Sequence, residues 1–329
     1  MPVIEDAEWL GMTPEMKTFV AEHASKGEAR HSRAWALTYA ALDPYILDFS
    51  YDPRQTLTAA EAFQQRRGNC LTFSALFVAM ARDAGLKAGF QEVIIPPRWS
   101  AINDTVLVSK HVNAIVSDTH RNYVVDVSRR QTSGREVIRQ LSDREALAQY
   151  YNNLGADALV RENLGLAYAY FLKALEVQPG LAYVWSNAGV VLRRNGQTDD
   201  AVFSYRTALR YDPDHTVALN NLHTIYTEDG DLEAAAALAG RVERNRRKNP
   251  YYLLHLAELA TEEQRWPDAI ALLDKAIRID DQEYRFHYAL AQALYHAGKV
   301  DVARVSLDRA RALAPPDLSE PLLPLPDGS

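Results

Sequence analysis

From Ala148 onward the chain repeats itself every 34 residues, and this period constrains the fold more than any single residue does. Five registers start at 148, 182, 216, 250 and 284. In the first, Tyr151, Leu154, Gly155, Ala158, Ala167, Phe171, Ala174 and Pro179 occupy repeat positions 4, 7, 8, 11, 20, 24, 27 and 32. The second places Trp185, Ala188, Gly189, Leu192, Ala201, Tyr205, Ala208 and Pro213 at the same positions. The later registers are looser. The third has His223 at position 8 and Arg247 at the proline slot, and the fifth returns to Pro315. The frame never slips. Small residues at positions 8, 20 and 27 let two antiparallel helices approach closely, and large residues fill the gap to the next pair. One pair cannot bury its apolar stripe alone, so pairs must stack into a solenoid.

The aromatic, Leu-Gly, Ala, aromatic, Ala, Pro series at this period resembles the tetratricopeptide repeat. We therefore expect five such repeats over residues 141–315, followed by a Pro-rich, extended or disordered tail over 316–329. The first helix of each pair would line the concave face. Its candidate peptide-groove residues are Tyr183, Asn187, Arg193, Asn220, Asn221, Thr224, Tyr251, Glu258, Arg285, Tyr288 and Tyr295. Asparagine and tyrosine in such a groove suit an extended peptide. The Lys-plus-Asn carboxylate clamp of some members of that family is not matched. A solenoid that only braces the first domain is the competing expectation. The cluster Arg241, Arg244, Arg246, Arg247 and Lys248 reads as a solvated helix end.

Charge excludes some functions. The chain carries 36 Lys+Arg against 43 Asp+Glu, with no basic field of the kind a nucleic-acid binder shows. No apolar run approaches the roughly 20 residues of a membrane span. The first residues lack the basic and apolar regions of a signal peptide, so the expected location is the cytoplasm. A periplasmic or exported location stays open if a leader has been removed. One cysteine forbids an internal disulfide.

That cysteine is the main chemical feature of the first 140 residues. Thr13-Pro14 marks a helix start, and Thr58 with Glu61 forms a capping box for a short helix that ends before Gly68. The string Arg66-Arg67-Gly68-Asn69-Cys70 then delivers a thiol to the first turn of an almost wholly apolar helix that stops at Gly85. Unpaired N–H groups and the helix dipole at that end favour a thiolate. The period then changes. Residues 88–95, 105–117 and 122–128 read as strands, the last two as an antiparallel hairpin turning at Asp118 to Arg121.

Two polar residues, His111 and Asp126, stand out in that hairpin. A two-residue loop at Thr119-His120 pairs Asn113 with Asp126 and leaves His111 one diagonal step away on the same face. A loop at Asp118-Thr119 pairs His111 with Asp126 directly. A three-residue loop would separate them onto opposite faces. Cysteine at a helix start with His and Asp on neighbouring strands is a nucleophile, base and orienter set.

Residues 66–93, then HVNAIV, then NYVVDVS, resemble the transglutaminase-like core, related to papain-like enzymes: Cys on a central helix, His and Asp on following strands, in that order. The resemblance covers roughly residues 55–130. It implies an α+β domain over residues 1–140 with Cys70 as nucleophile, His111 as base and Asp126 as orienter. It also implies acyl transfer through a thioester, with amide hydrolysis by a protease or amidase as the first expectation. A transamidase joining an amine to an acyl group, and a non-catalytic interaction scaffold, are the alternatives. Gln64, six residues before Cys70, is a weak oxyanion candidate, and Trp99 is a candidate cleft wall. No metal or cofactor is expected: one cysteine builds no zinc-thiolate cluster, and no Gly-rich phosphate loop is present. The expected partner is a protein or peptide held by the repeats, with no nucleic acid and no membrane span.

Overall fold

The computed structural model describes residues 2–24, 30–94, 98–99, 106–107, 110–117, 122–127 and 137–315. The expected turn at 118–121 and the tail at 316–329 lie outside them, as does the Trp99 side chain. Two helices, α1 (Pro14–His23) and α2 (Arg30–Leu42), open the chain. Thr13 caps α1 by accepting the Met16 N–H. A two-residue strand, β1 (Ser50–Tyr51), precedes α3 (Ala59–Gln65), where the Thr58–Glu61 capping box is complete. Then come β2 (Arg67–Gly68), α4 (Cys70–Asp83) and β3 (Lys87–Ile94). Short strands β4 (Arg98–Trp99) and β5 (Val106–Leu107) pair antiparallel. The hairpin is β6 (Lys110–Ser117) and β7 (Asn122–Val125), followed by β8 (Val137–Leu141). The main sheet has the antiparallel order β7-β6-β3-β8. Strand β8 has no counterpart in the sequence reading. VIRQL is an edge strand with Val137 and Ile138 exposed, so it lacks the alternation that marks a half-buried strand.

Helices then alternate with short turns: α5 (Asp143–Val160), α6 (Leu164–Val177), α7 (Ala182–Arg194), α8 (Thr198–Tyr211), α9 (Thr216–Glu228), α10 (Leu232–Arg246), α11 (Pro250–Glu262), α12 (Trp266–Ile279), α13 (Tyr284–His296) and α14 (Val300–Leu313). The architecture is a small α+β domain followed by an all-α array of helix pairs. By contacts the chain divides into two compact units: residues 1–96 with 108–235, and residues 97–107 with 236–329.

In the first unit one hydrophobic core runs from Trp9 to Val191, so the first helix pairs share a core with the α+β domain. Helix α4 is its centre, with Leu71 through Ala81 all buried. Trp9 stacks on Phe90 at 5.1 Å, and the Tyr151 hydroxyl accepts the Ala7 N–H at 2.8 Å. The Ser142–Glu145 capping box starts α5, and Arg82 forks onto Asp143 at 2.6 and 2.8 Å. Glu92 on β3 is 1% exposed and would be costly to bury as a lone charge. It accepts from Arg139 at 3.1 Å and from the Gln149 amide of α5 at 2.9 Å. Burial, with the Glu92 charge also acting, pushes the Tyr183 hydroxyl of α7 well above its ordinary range.

Repeat position 8 works as the spacing implies. A Cβ built on Gly155 would lie 2.6 Å from the Phe171 ring, and one on Gly189 would lie 2.7 Å from the Tyr205 ring. The aromatic at position 24 therefore lies on bare backbone at position 8.

Repeat position 15 carries a signal that the sequence reading missed. Gly196, Gly230 and Gly298 have φ of 76°, 75° and 76°, and Glu162 and Gln264 occupy the same slot with φ of 60° and 58°. Every helix pair turns through the left-handed region there, which costs a residue with a Cβ about 1 kcal/mol. Glu162→Gly and Gln264→Gly are each expected to stabilise their hairpins by somewhat less than that, because glycine also loses more entropy on folding. Urea denaturation monitored by far-ultraviolet circular dichroism is the measurement. A loss of stability in both variants would contradict this account of the turn.

Candidate active site

Cys70 is placed by a short, heavily bonded segment. Helix α3 ends with Arg66 in the left-handed region at φ 54°, and β2 then pairs in parallel with β1. Asn69 caps α4: its Oδ1 accepts the Thr72 N–H at 2.9 Å, and its Nδ2 donates to the Thr56 hydroxyl at 2.8 Å. The Thr72 hydroxyl accepts the Leu57 N–H at 2.9 Å and donates to the Gln55 carbonyl at 3.2 Å. One turn into α4, the buried Ser74 hydroxyl donates to the Cys70 carbonyl at 2.8 Å and lies 3.3 Å from the Val112 carbonyl of β6. The helix that starts at the thiol is thereby tied to the residue after His111. Cys70 is free and half-buried.

His111 sits opposite Val93 of β3, near the start of β6. The β6–β7 register pairs Ala114 with Val125 and Ser117 with Asn122. Extended by one step, it sets Asp126 opposite Asn113 with His111 on the diagonal. This is the register of the first of the two same-face alternatives. His111 Nε2 and Asp126 Oδ2 are 2.5 Å apart, which leaves Nδ1 as the ring nitrogen available to the hydrogen bond with the Cys70 thiol. His111 is 6% exposed.

Burial is the strongest single influence on His111 and opposes its charge. The hydrogen bonds to Asp126 and Cys70, together with their charges, outweigh it and push the imidazole up to about 9 from its ordinary 6.5. A raised value means that the charged ring stabilises the fold. This contribution is complete below about pH 6.5 and is lost as the pH rises through 9. Its upper size is roughly 3 kcal/mol. In an NMR titration His111 is expected to change protonation near pH 9, and well below that in Asp126→Asn. Titration of the wild-type ring below pH 7 would contradict the geometry.

The other candidates lie apart from this cluster. Gln64 is exposed on α3 and makes no hydrogen bond to Cys70, His111 or Asp126. Among the described residues no group of three or more His, Cys, Asp or Glu side chains could hold a metal. Several groove candidates of the first unit bond to one another. Asn187 donates to Asn152 at 2.9 Å, and Arg193 donates to Asn221 at 3.0 Å and to Glu228. Thr224 donates to the Asn220 carbonyl at 2.9 Å, while the Asn220 Oδ1 is buried without a partner. Tyr183 is half-buried. In the second unit Tyr251 donates to Glu283, and Arg285 donates to the Tyr251 hydroxyl at 3.0 Å while lying over its ring. Glu258 is exposed, and Tyr288 and Tyr295 are half-buried.

Comparison with known families agrees with this layout. Residues 17–124 match the transglutaminase-like superfamily. Residues 170–203 match one tetratricopeptide repeat family, and 192–259 and 260–321 match another. The chain is a transglutaminase-like domain followed by tetratricopeptide repeats. The first match contains Cys70 and His111 and stops two residues short of Asp126, whose place in the site therefore rests on geometry.

Among curated proteins, the chain is similar to the chloroplastic tetratricopeptide repeat domain-containing protein PYG7 of Arabidopsis thaliana. The two are 32% identical over 76 residues, 23% of this chain and 25% of that protein. It is 34% identical over 85 residues to the uncharacterized protein ycf37 of Pyropia yezoensis, 26% of this chain and 48% of that protein. The chain thus spans less than half the length of these relatives. Among solved structures, MamA from Desulfovibrio magneticus RS-1 is 17% identical with a TM-score of 0.30, over 52% of this chain and 96% of that one. Pseudomonas aeruginosa pilF is 22% identical with a TM-score of 0.34, over 53% and 79%. No helix among the described residues is long and apolar enough to cross a membrane.

Proposed function

We propose that the transglutaminase-like domain performs cysteine-dependent acyl transfer through a thioester on a protein or peptide substrate, most directly amide hydrolysis. The observation that carries this reading is His111 bonded to Asp126 on one side and to Cys70 on the other. The charged His111 holds the proton given up by the Cys70 thiol, and the sulfur attacks the acyl carbon. The tetrahedral intermediate collapses, the C–N bond breaks, and the leaving amine takes that proton from His111. Water then attacks the thioester, gives a proton to His111, and the thiol leaves with a proton returned. Asp126 holds the imidazole tautomer and stabilises its charged form. Asn69 occupies the N–H groups of Thr72 and Phe73, so the uncommitted Cys70 N–H is the nearest backbone donor for the oxyanion. Gln64, exposed on α3, is not needed in this scheme.

The repeats suit protein interaction, and in this reading they recruit the substrate or a partner. Transamidation uses the same thioester with an amine in place of water. Incubation with a peptide library, with and without a primary amine, followed by mass spectrometry separates the outcomes. Cleaved products support hydrolysis, and amine adducts support transamidation. If wild type and Cys70→Ala give the same spectra while both retain protein partners, the chain is a binding scaffold.

A further inference from the structure

The site contains a polar side chain that the acyl-transfer scheme does not use. Asn113 lies two residues along β6 from His111, so alternation puts both on one side of the sheet. The same registers set Asn113 opposite Gln91 on β3 and, one step past the end of β7, opposite Asp126. Its neighbours on that side along β6 and β3 are otherwise apolar: Ile115 and Val93 are both buried. Asn113 is 4% exposed, and its Oδ1 has no hydrogen-bond partner.

A buried carbonyl oxygen without a donor costs about 1–3 kcal/mol. Valine or leucine would pack this strand position without that cost. The missing partner must be a hydrogen-bond donor, because the buried unmatched atom is an acceptor. Among the described residues none supplies it, which leaves the position open to a donor on a bound molecule. The place it would occupy adjoins the His111–Asp126 pair. An extended acyl substrate with its reacting carbon at Cys70 carries peptide N–H groups within a few ångströms of that carbon. We propose that Asn113 is a specificity-determining residue, whose side-chain oxygen accepts a main-chain N–H of a peptide substrate beside the catalytic pair. The inference rests on the acyl-transfer reading and adds the residue that reads the peptide main chain beside the reacting carbon. A site that bonds a substrate N–H discriminates strongly against an analogue lacking it, because its own buried group is then left unmatched.

The test uses the full chain, whose single thiol makes labelling unambiguous. Acetyl-alanyl-alanyl chloromethyl ketone is compared with its depsipeptide analogue, in which the N–H nearest the ketone is an ester oxygen. In both, a C–S bond forms at the methylene, chloride leaves and the proton given up by the thiol stays on His111. Each rate is divided by that with methyl methanethiosulfonate, which carries no peptide group and reports the thiol itself. The wild-type protein is expected to prefer the peptide reagent by about ten-fold, the worth of one such hydrogen bond. In Asn113→Leu the preference is expected to fall to near unity while the thermal midpoint stays level or rises. Asn113→Ala serves as the second variant, should leucine disturb the strand. Equal wild-type rates with the two reagents, or a preference that survives in both variants, would overturn the assignment. If methyl methanethiosulfonate reacts fast and His111-dependently while the preference is absent, Asn113 alone is misassigned. If that reaction is slow and indifferent to His111→Ala, the acyl-transfer reading falls and this inference falls with it.

Discussion

His111→Ala is expected to slow acylation of Cys70 by about a thousand-fold, the usual scale for removing a positioned general base. The sulfur attacks only once its proton has gone to a base, and His111 is the group that the structure bonds to the thiol. Stopped-flow acylation by p-nitrophenyl acetate reads the rate from the nitrophenolate released, and no second cysteine contributes. Removing the ring also leaves the Asp126 carboxylate without its 2.5 Å partner, so part of any loss could come from a disturbed β6–β7 edge. His111→Gln keeps a polar side chain beside Asp126 and is expected to be as slow as alanine while unfolding at a higher denaturant concentration. Asp126→Asn keeps the shape of the orienter and lowers the His111 pKa, so its rate should fall less than that of His111→Ala. Equal acylation of all four proteins would show that Cys70 is not activated by this pair.

The second large effect is expected from Gly68→Ala. A Cβ at this position would lie 2.3 Å from Thr72 Cγ2 and 2.7 Å from Thr72 Cβ, well inside van der Waals contact. Neither side yields cheaply. Gly68 is paired with Tyr51, and its carbonyl accepts the Asp52 N–H at 3.0 Å. Thr72 is β-branched, stiff at χ1, and held by bonds to Leu57 and Gln55. We expect a loss of about 3 kcal/mol, at the upper end for overpacking, because relief requires breaking one of these bonds. The strain falls two residues from Cys70, so labelling of the thiol should change as well. Thr72→Ser removes the clashing methyl and keeps the hydroxyl. In the double variant roughly half of the lost stability should return, as read by urea denaturation. No recovery would place the strain elsewhere.

Position 15 of the repeat shows how a signal can be hidden from the sequence. Three of its five residues are glycine, and Glu162 and Gln264 mask the pattern. Backbone conformation is conferred there by the turn between two packed helices, not by residue type. Strand β8 was hidden for a related reason: an exposed edge pairs through its backbone and needs no apolar alternation.

The sequence alone determined the repeat helices, the cysteine helix α4 and the strands β3, β6 and β7, in their order. The 34-residue frame follows from where small and large residues recur, and helix packing admits few answers to that pattern. The capping boxes at Thr58 and Ser142 and the start of α4 at Cys70 are local, because each is set by a side chain bonding backbone within three residues. Which strand neighbours meet was not local. The hairpin admitted two same-face registers, and sheet packing selected the one that sets Asp126 opposite Asn113. Only the tertiary structure merged the first helix pairs with the α+β domain into one core, through Trp9, Tyr151 and the bonded Glu92. Only it left the Asn113 oxygen buried without a donor. Both depend on which distant segments cover a residue, and that is a property of packing rather than of neighbouring sequence.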